Sequence, residues 1–389
     1  MHWRPERDPE DWLRISALAD VALQSPSDDL ARLRWLGDAL LFIGEDKKAA
    51  DIWARAVAQA PDDVELRLLL GRASLAAQDI DEARRQADAV LQQEPQNRNA
   101  RLLRFSLLVR GEDWDAAAGM MDEIAALAPL NKSVCAARLQ ARAPRSASEA
   151  QLADCDAQLA QNPIMTDAVY FKAIALARLG RDAEARQVLD LERFLDVRDL
   201  PAPAGYADAE TFRTALAEEI ARNPSLSPDW KSTQGGLQTR QLRQPGATLV
   251  ETLLAQIKAA VDDYAERLSP KSGAFASARP RDAVLKSWAV VYGAQGRQNP
   301  HRHPEGWLSG VFYASAPRVD GESGYRGPLL LGAIDPMYGV SEPPWGTKAI
   351  EPTPGRLVMF PSYVPHGTLQ TGIDGARISV AFDVVPVNP

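Results

Sequence analysis

The sequence predicts a two-part protein. Residues 1–200 are expected to form an all-α solenoid of helical repeats, and residues 201–389 an antiparallel barrel or jelly roll with flanking helices. Three observations predict this. Residues 1–200 hold six glycines, whereas residues 281–389 hold fourteen glycines and thirteen prolines. Glycine and proline punctuate short strands and turns, so their scarcity favours long helices. The first part also repeats at a fixed period, and the last part consists of short β-branched and aromatic runs bounded by glycine or proline.

The repeats come first along the chain. Pro61, Pro95, Pro129 and Pro163 stand 34 residues apart. Ala49, Ala83, Ala117 and, after a gap at Gln151, Ala185 keep the same register, as do Leu36-Gly37 and Leu70-Gly71. Small residues let two helices approach, and proline ends the second helix before the next repeat begins. This pattern resembles the tetratricopeptide repeat over about residues 30–200. It is strong through three repeats and weaker in the fourth, where ARAPRSASEAQ interrupts it. Residues 10–26 are expected to add a capping helix. The resemblance implies a curved solenoid whose concave face holds a peptide or protein. The same solenoid would serve equally to brace the next domain or to form a homodimer, and the sequence leaves these open.

PAPA at 201–204 reads as a linker. Two amphipathic helices are expected at about 208–222 and 247–267; in the second, Leu253, Leu254, Ile257, Ala260, Val261 and Tyr264 fall at helical spacing. STQGGLQTRQL between them reads as a loop and a first strand. From 285 the pattern turns to strands: VLKSWAVVY, a turn GAQGRQNP, then HRH, WLSGVFYAS, GRLVMFPS and RISVAFDVV.

The chain has four histidines, and two of them, His301 and His303, lie one residue apart. In a strand, residues i and i+2 face the same way, roughly 6.5 to 7 Å apart. Both imidazoles would then project to one side, a suitable bite for one metal ion. His366 follows 63 residues after His303, beyond the turn PSYVP, where a barrel brings the chain back across its mouth. Arg377 and Ser379 follow in ARISVAF. A buried arginine at that strand start needs an anion, and a carboxylate fits it by bidentate pairing. Trp307 and Tyr313 read as core or barrel lining.

These residues, with HRHPEGWLSGVFY and PGRLVMFPSYVPHG, resemble the iron(II)- and 2-oxoglutarate-dependent oxygenases, in particular a bacterial branch with tetratricopeptide repeats in front. The resemblance covers about 208–388. It implies a double-stranded β-helix, Fe(II) held by a facial triad with open positions for 2-oxoglutarate and O2, and hydroxylation of a C–H bond. By the resemblance His301 takes the place of the first iron histidine and His366 that of the distal one. Arg377 takes that of the 2-oxoglutarate arginine, with Ser379 beside it. Tyr292, nine residues before His301, takes that of a tyrosine that reaches the cosubstrate.

The departure is His303, which stands where the pattern has aspartate. A third imidazole leaves the site one unit more positive than a carboxylate would, and makes zinc or copper binding more plausible. Two alternatives restore a carboxylate: Glu305, in the register His303-x-Glu305, and Asp335 from the loop GAIDPMYG. The solenoid favours a peptide or protein substrate. Two rival readings are a non-catalytic repeat scaffold with an inactive, metal-binding β-domain, and a cupin-type metal protein. The second has no use for the Arg377-x-Ser379 clamp.

Composition bounds the rest. Net charge is −8, and residues 281–389 balance nine basic against nine acidic side chains, so no basic face for nucleic acid is expected. No apolar run reaches membrane-spanning length, and the charged start MHWRPERDPEDW has no secretory apolar core. Cys135 and Cys155 make neither a disulfide framework nor a zinc site, so a reducing cytoplasm is the expected setting. The glycines of YGAQG lack the Gly-Lys-[Ser/Thr] of a phosphate loop.

Overall fold

The computed structural model describes residues 1–6, 9–24, 27–127, 137–141, 149–228, 233–318 and 324–387. They form two compact units, Asp8–Ser146 and Met1–Arg7 with Ala147–Pro389.

The first unit is helical. After α1 (Pro9–Gln24) come three antiparallel pairs: α2 (Leu30–Ile43) with α3 (Asp46–Gln59), α4 (Val64–Ala76) with α5 (Ile80–Gln93), and α6 (Arg98–Arg110) with α7 (Trp114–Leu127). Each pair starts on a cap set by the same period. The carboxylates of Asp29 and Asp63 and the amide oxygen of Asn97 accept from the backbone N–H three residues on, at 2.9–3.0 Å. Asp79 and Asp113 do the same for α5 and α7. Each such cap contributes about 1 kcal/mol. Ala49, Ala83 and Ala117 are fully buried at the helix contacts. Gly37 is needed because a Cβ there would lie 2.4 Å from the Trp53 ring. Pro129 and Cys135 lie outside the described residues.

The second unit begins with α8 (Glu149–Gln161), α9 (Thr166–Arg178) and α10 (Asp182–Val188). Ala185 is fully buried on α10, and Gln151, where the alanine register breaks, is itself buried on α8. Two longer helices follow within the sheet region, α11 (Ala209–Ala221) and α12 (Thr248–Arg267), close to their expected bounds, and then the short α13 (Ala274–Ser277). The apolar stripe of α12 is buried, and its Tyr264 hydroxyl donates to the Phe194 carbonyl at 2.8 Å.

The strands are β1 (His2–Arg4), β2 (Asp196–Asp199), β3 (Leu226–Pro228), β4 (Thr233–Thr239), β5 (Asp282–His301), β6 (Leu308–Ser315), β7 (Leu329–Leu331), β8 (Lys348–Ile350), β9 (Arg356–Pro361), β10 (His366–Thr368) and β11 (Arg377–Pro386). They form one curled sheet of jelly-roll type in the order β2-β9-β6-β11-β5-β10-β7-β8, with β1 and β4 also on β5 and β3 on β4. Pairing is antiparallel except for β1 on β5. The edge strand β2 precedes the PAPA segment.

One expectation fails here. GAQGRQNP is not a turn: β5 runs unbroken from Asp282 to His301. It pairs with β11 along its first half and with β4 and β10 along its second. Gly296 serves close packing, since a Cβ there would lie 2.3 Å from the Tyr292 ring, and a Cβ at Gly236 on β4 would lie 2.5 Å from the same ring. Among the described residues no helix is long and apolar enough to cross a membrane.

Candidate functional site

The site lies inside the curl, where β5, β6, β10 and β11 present alternate residues to one cavity. The end of β5 and the start of β10 set His301 directly opposite His366. His303 follows past the strand end, held by its backbone N–H on the Ser362 carbonyl at 3.2 Å. Ring centroids lie 4.4 Å apart for His301 and His366, 4.9 Å for His303 and His366, and 5.1 Å for His301 and His303. One ligand atom from each falls within 4.8 Å of the others. Trp307 anchors the loop that follows: its ring stacks on Phe275 at 4.9 Å, and its Nε1–H donates to the Phe275 carbonyl.

Hydrogen bonds decide which nitrogens converge. His301 Nδ1 lies 2.8 Å from the Asn299 carbonyl and His366 Nδ1 3.0 Å from the Val364 carbonyl. A carbonyl only accepts, so both Nδ1 atoms carry hydrogen and the Nε2 lone pairs are free. His303 Nδ1 lies 2.6 and 2.7 Å from the two oxygens of Asp383. Desolvation, together with neighbouring His303, pulls the His301 pKa down to about 4. Burial first, then neighbouring His301 and His303, hold His366 well below its usual range. Both rings are therefore neutral near pH 7, the form that binds a metal ion. This trio fits a divalent metal.

Two residues along β10 from His366 lies the other end of the site. Thr368 Oγ1 accepts from Arg377 Nη2 at 3.0 Å. Arg377 is 1% exposed; it also donates to the carbonyls of Leu369, at 3.1 Å, and Gly327, and lies 4.7 Å above the Tyr292 ring. Among the described residues no carboxylate pairs with it. Gly327 has φ +78, and a Cβ there would lie 2.6 Å from the guanidinium. Register puts Tyr292 opposite Arg377 and Tyr313 opposite Ser379. The Tyr313 hydroxyl is buried with no hydrogen-bond partner among the described residues. Burial pushes its pKa up to about 12, so it remains a donor. A buried guanidinium lacking an acid, beside an unsatisfied hydroxyl, fits a carboxylate ligand.

The remaining candidates lie apart. Glu305 points to solvent, 72% exposed, and pairs with Lys286 at 2.6 Å. Asp335 accepts from the Met337 backbone N–H. Neither belongs to the imidazole cluster.

Sequence reasoning missed three residues here. Asp383 was detectable: it continues the period-two face of Arg377 and Ser379 along the same strand. Arg302, between the two histidines, lies over the rings of Tyr170 and Phe171 at 4.5 and 4.7 Å and donates from Nε to Asp167 at 2.7 Å. Helix α9 thereby grips the histidine loop, but Asp167 is 135 residues away and carries no local signal.

Residues 286–383 match the family model described as "Putative 2OG-Fe(II) oxygenase", and residues 47–104 match the tetratricopeptide-repeat model. Among solved structures, a Pseudomonas putida prolyl-4-hydroxylase aligns over 53% of this chain and 100% of its own, at 21% identity and a TM-score of 0.35. YrrB, a TPR protein with an unusual peptide-binding site, aligns over 44% of this chain and 89% of its own, at 16% identity and 0.37. MamA of Desulfovibrio magneticus RS-1 aligns over 42% and 93%, at 16% identity and 0.39. No curated protein matches the chain.

Proposed function

We propose that this chain, which carries a 2OG-Fe(II) oxygenase domain behind tetratricopeptide repeats, is a dioxygenase dependent on Fe(II), 2-oxoglutarate and O2. It hydroxylates a C–H bond, on a peptide or protein side chain presented by the repeats. Residues 1–200 are the partner-binding part and 201–389 the catalytic part. One observation carries the reading: three metal-competent imidazoles line the same cavity as a buried arginine that has no acid partner among the described residues.

Bound iron would couple decarboxylation of 2-oxoglutarate to succinate and carbon dioxide with insertion of one oxygen atom into the substrate C–H bond. His301, His303 and His366 would hold the metal, with the Nε2 atoms of His301 and His366 free to ligate. The carbonyls of Asn299 and Val364 keep His301 and His366 in the ligating tautomer. Arg377 takes the far carboxylate, with Ser379 and the Tyr313 hydroxyl as further donors and the Tyr292 ring supporting the guanidinium. Phe360 packs edge-on to His366 at 4.8 Å and keeps water from that flank. The repeats support a protein partner because stacked repeats present a long concave surface that suits extended chains.

Anaerobic titration with Fe(II) and 2-oxoglutarate tests the reading. A visible charge-transfer band that is lost in Arg377→Ala, and succinate formation under oxygen, are expected. Metal binding without band or succinate would leave the non-catalytic scaffold as the better account.

A further inference from the structure

The imidazole trio is backed by a carboxylate that no direct ligand role explains. Asp383 lies on β11, 8% exposed, with both oxygens on His303 Nδ1. Its Oδ1 also accepts from the Ser309 hydroxyl at 2.6 Å, and Ser309 is 2.8 Å from the Ser362 hydroxyl. The backbone is shaped around this chain of hydroxyls. Gly306 passes so close that a Cβ there would lie 2.3 Å from Ser362 Oγ. Cross-strand from Asp383 stands Lys286, but its ammonium is spent on Glu305. Among the described residues no lysine or arginine pairs with Asp383.

A buried carboxylate without a cation is costly unless a positive charge arrives from elsewhere. Among the described residues the groups aimed at it are the Ser309 hydroxyl, which is neutral, and an imidazole whose far nitrogen faces the other two histidines. A dication there would be the missing counter-charge, reached through the ring. Charge arithmetic agrees. Three neutral imidazoles with one carboxylate behind them carry −1, as do two imidazoles and one direct carboxylate ligand.

We propose that Asp383 supplies, through His303, the negative charge that an aspartate at position 303 would have supplied as a direct ligand, so that the two residues act as one anionic ligand. The inference rests on the metal-site reading above. It assigns Asp383 as a positioning and charge-donating residue, and explains how the site tolerates histidine at that place: the acid has moved back by one ring. A ligating histidine that donates its other N–H to a carboxylate is oriented and made a stronger donor.

The test compares the full-length protein with Asp383→Asn, His303→Asp and the double variant. Cobalt(II) is the probe: its visible spectrum reports the ligand set, and competition with a chelator gives its affinity. Asp383→Asn should weaken cobalt about 10- to 100-fold. His303→Asp alone should be at least as weak, because it sets two carboxylates face to face. The double variant should recover to within about threefold of the parent, since the introduced amide can donate to the introduced carboxylate. Recovery by a second substitution is not something a misfolded single variant can produce. Parent-like cobalt affinity in Asp383→Asn, or a double variant no better than His303→Asp, overturns the proposal. That result would make Asp383 and His303 an ordinary ion pair. The parent protein reports separately on the underlying reading. If it binds cobalt but shows no Fe(II)–2-oxoglutarate band, the oxygenase reading falls and the variant arms still decide the role of Asp383. If it binds no metal, both fall.

Discussion

Replacing Asp167 with asparagine removes the acid that holds Arg302 between the two histidines. The pair is enclosed: side-chain exposure is 16% for Arg302 and 5% for Asp167. Breaking a fully buried pair by removing one partner costs about 3–5 kcal/mol. Arg302 keeps the ring faces of Tyr170 and Phe171, together worth about 1–2 kcal/mol, and its partial exposure lets water reach the freed guanidinium. The expected loss is therefore about 2–3 kcal/mol, or roughly 5–10 °C in the unfolding transition of a unit this size. Circular dichroism and tryptophan fluorescence should follow it together. The pair Asp167→Leu with Arg302→Met should recover most of that loss, because it buries no unpaired charge. Since Arg302 lies between His301 and His303, Asp167→Asn should also weaken metal binding by about tenfold through a looser loop. A stability change below about 0.5 kcal/mol would refute the reasoning. So would a double variant as unstable as the sum of the two single ones, which would mean that shape, not charge, holds the loop to α9.

Four further outcomes are expected. Arg377→Met should weaken 2-oxoglutarate at least about 100-fold in calorimetric titration while leaving metal affinity near the parent's, and Arg377→Lys should not restore it, because a point charge does not replace a bidentate fork. Glu305→Gln should leave metal affinity unchanged and cost at most about 1 kcal/mol of stability, as for any exposed pair; a metal-free variant would return Glu305 to the ligand set. Gly37→Ala should destabilise the repeat unit by about 1–3 kcal/mol in urea unfolding, since its Cβ would press on the Trp53 ring. Burial raises the Cys155 thiol to about 12, so native protein at pH 8 should be alkylated at this position about 10³-fold more slowly than a free thiol. Because the folded pKa is the higher one, this group's stabilising contribution is full below about pH 8.5 and is lost as pH rises toward 12. Fast alkylation under native conditions would contradict that burial.

The legible parts of the molecule were those written in short-range pattern. The 34-residue period placed Ala49, Ala83 and Ala117 at helix contacts, where they are fully buried. The stripe of α12 was readable from Leu253 to Tyr264 because a helix repeats its face every 3.6 residues. GAQGRQNP misled for the converse reason: glycine signals a turn locally, yet Gly296 is small because the Tyr292 ring is packed against it. A residue chosen for what lies across a sheet looks the same in sequence as one chosen for a turn.

The sequence by itself determined the two-part architecture, the candidate histidines 301, 303 and 366, and the pairing of Arg377 with Ser379. The helical repeat rests on spacing that the helix period translates directly into direction; His303, although two residues from His301, lies past the end of β5 and is aimed by its loop. The tertiary structure decided what each side chain faces. Cross-strand register brings His366 opposite His301 and Tyr313 beside Ser379, and the loop after β5 brings His303 to Asp383, across 80 residues of chain. It also sets Arg302 against Asp167. Such contacts are fixed by the closure of the sheet and the packing of α9 on the loop. No local period encodes them, because buried polar partners are selected by proximity in the folded chain and not along it.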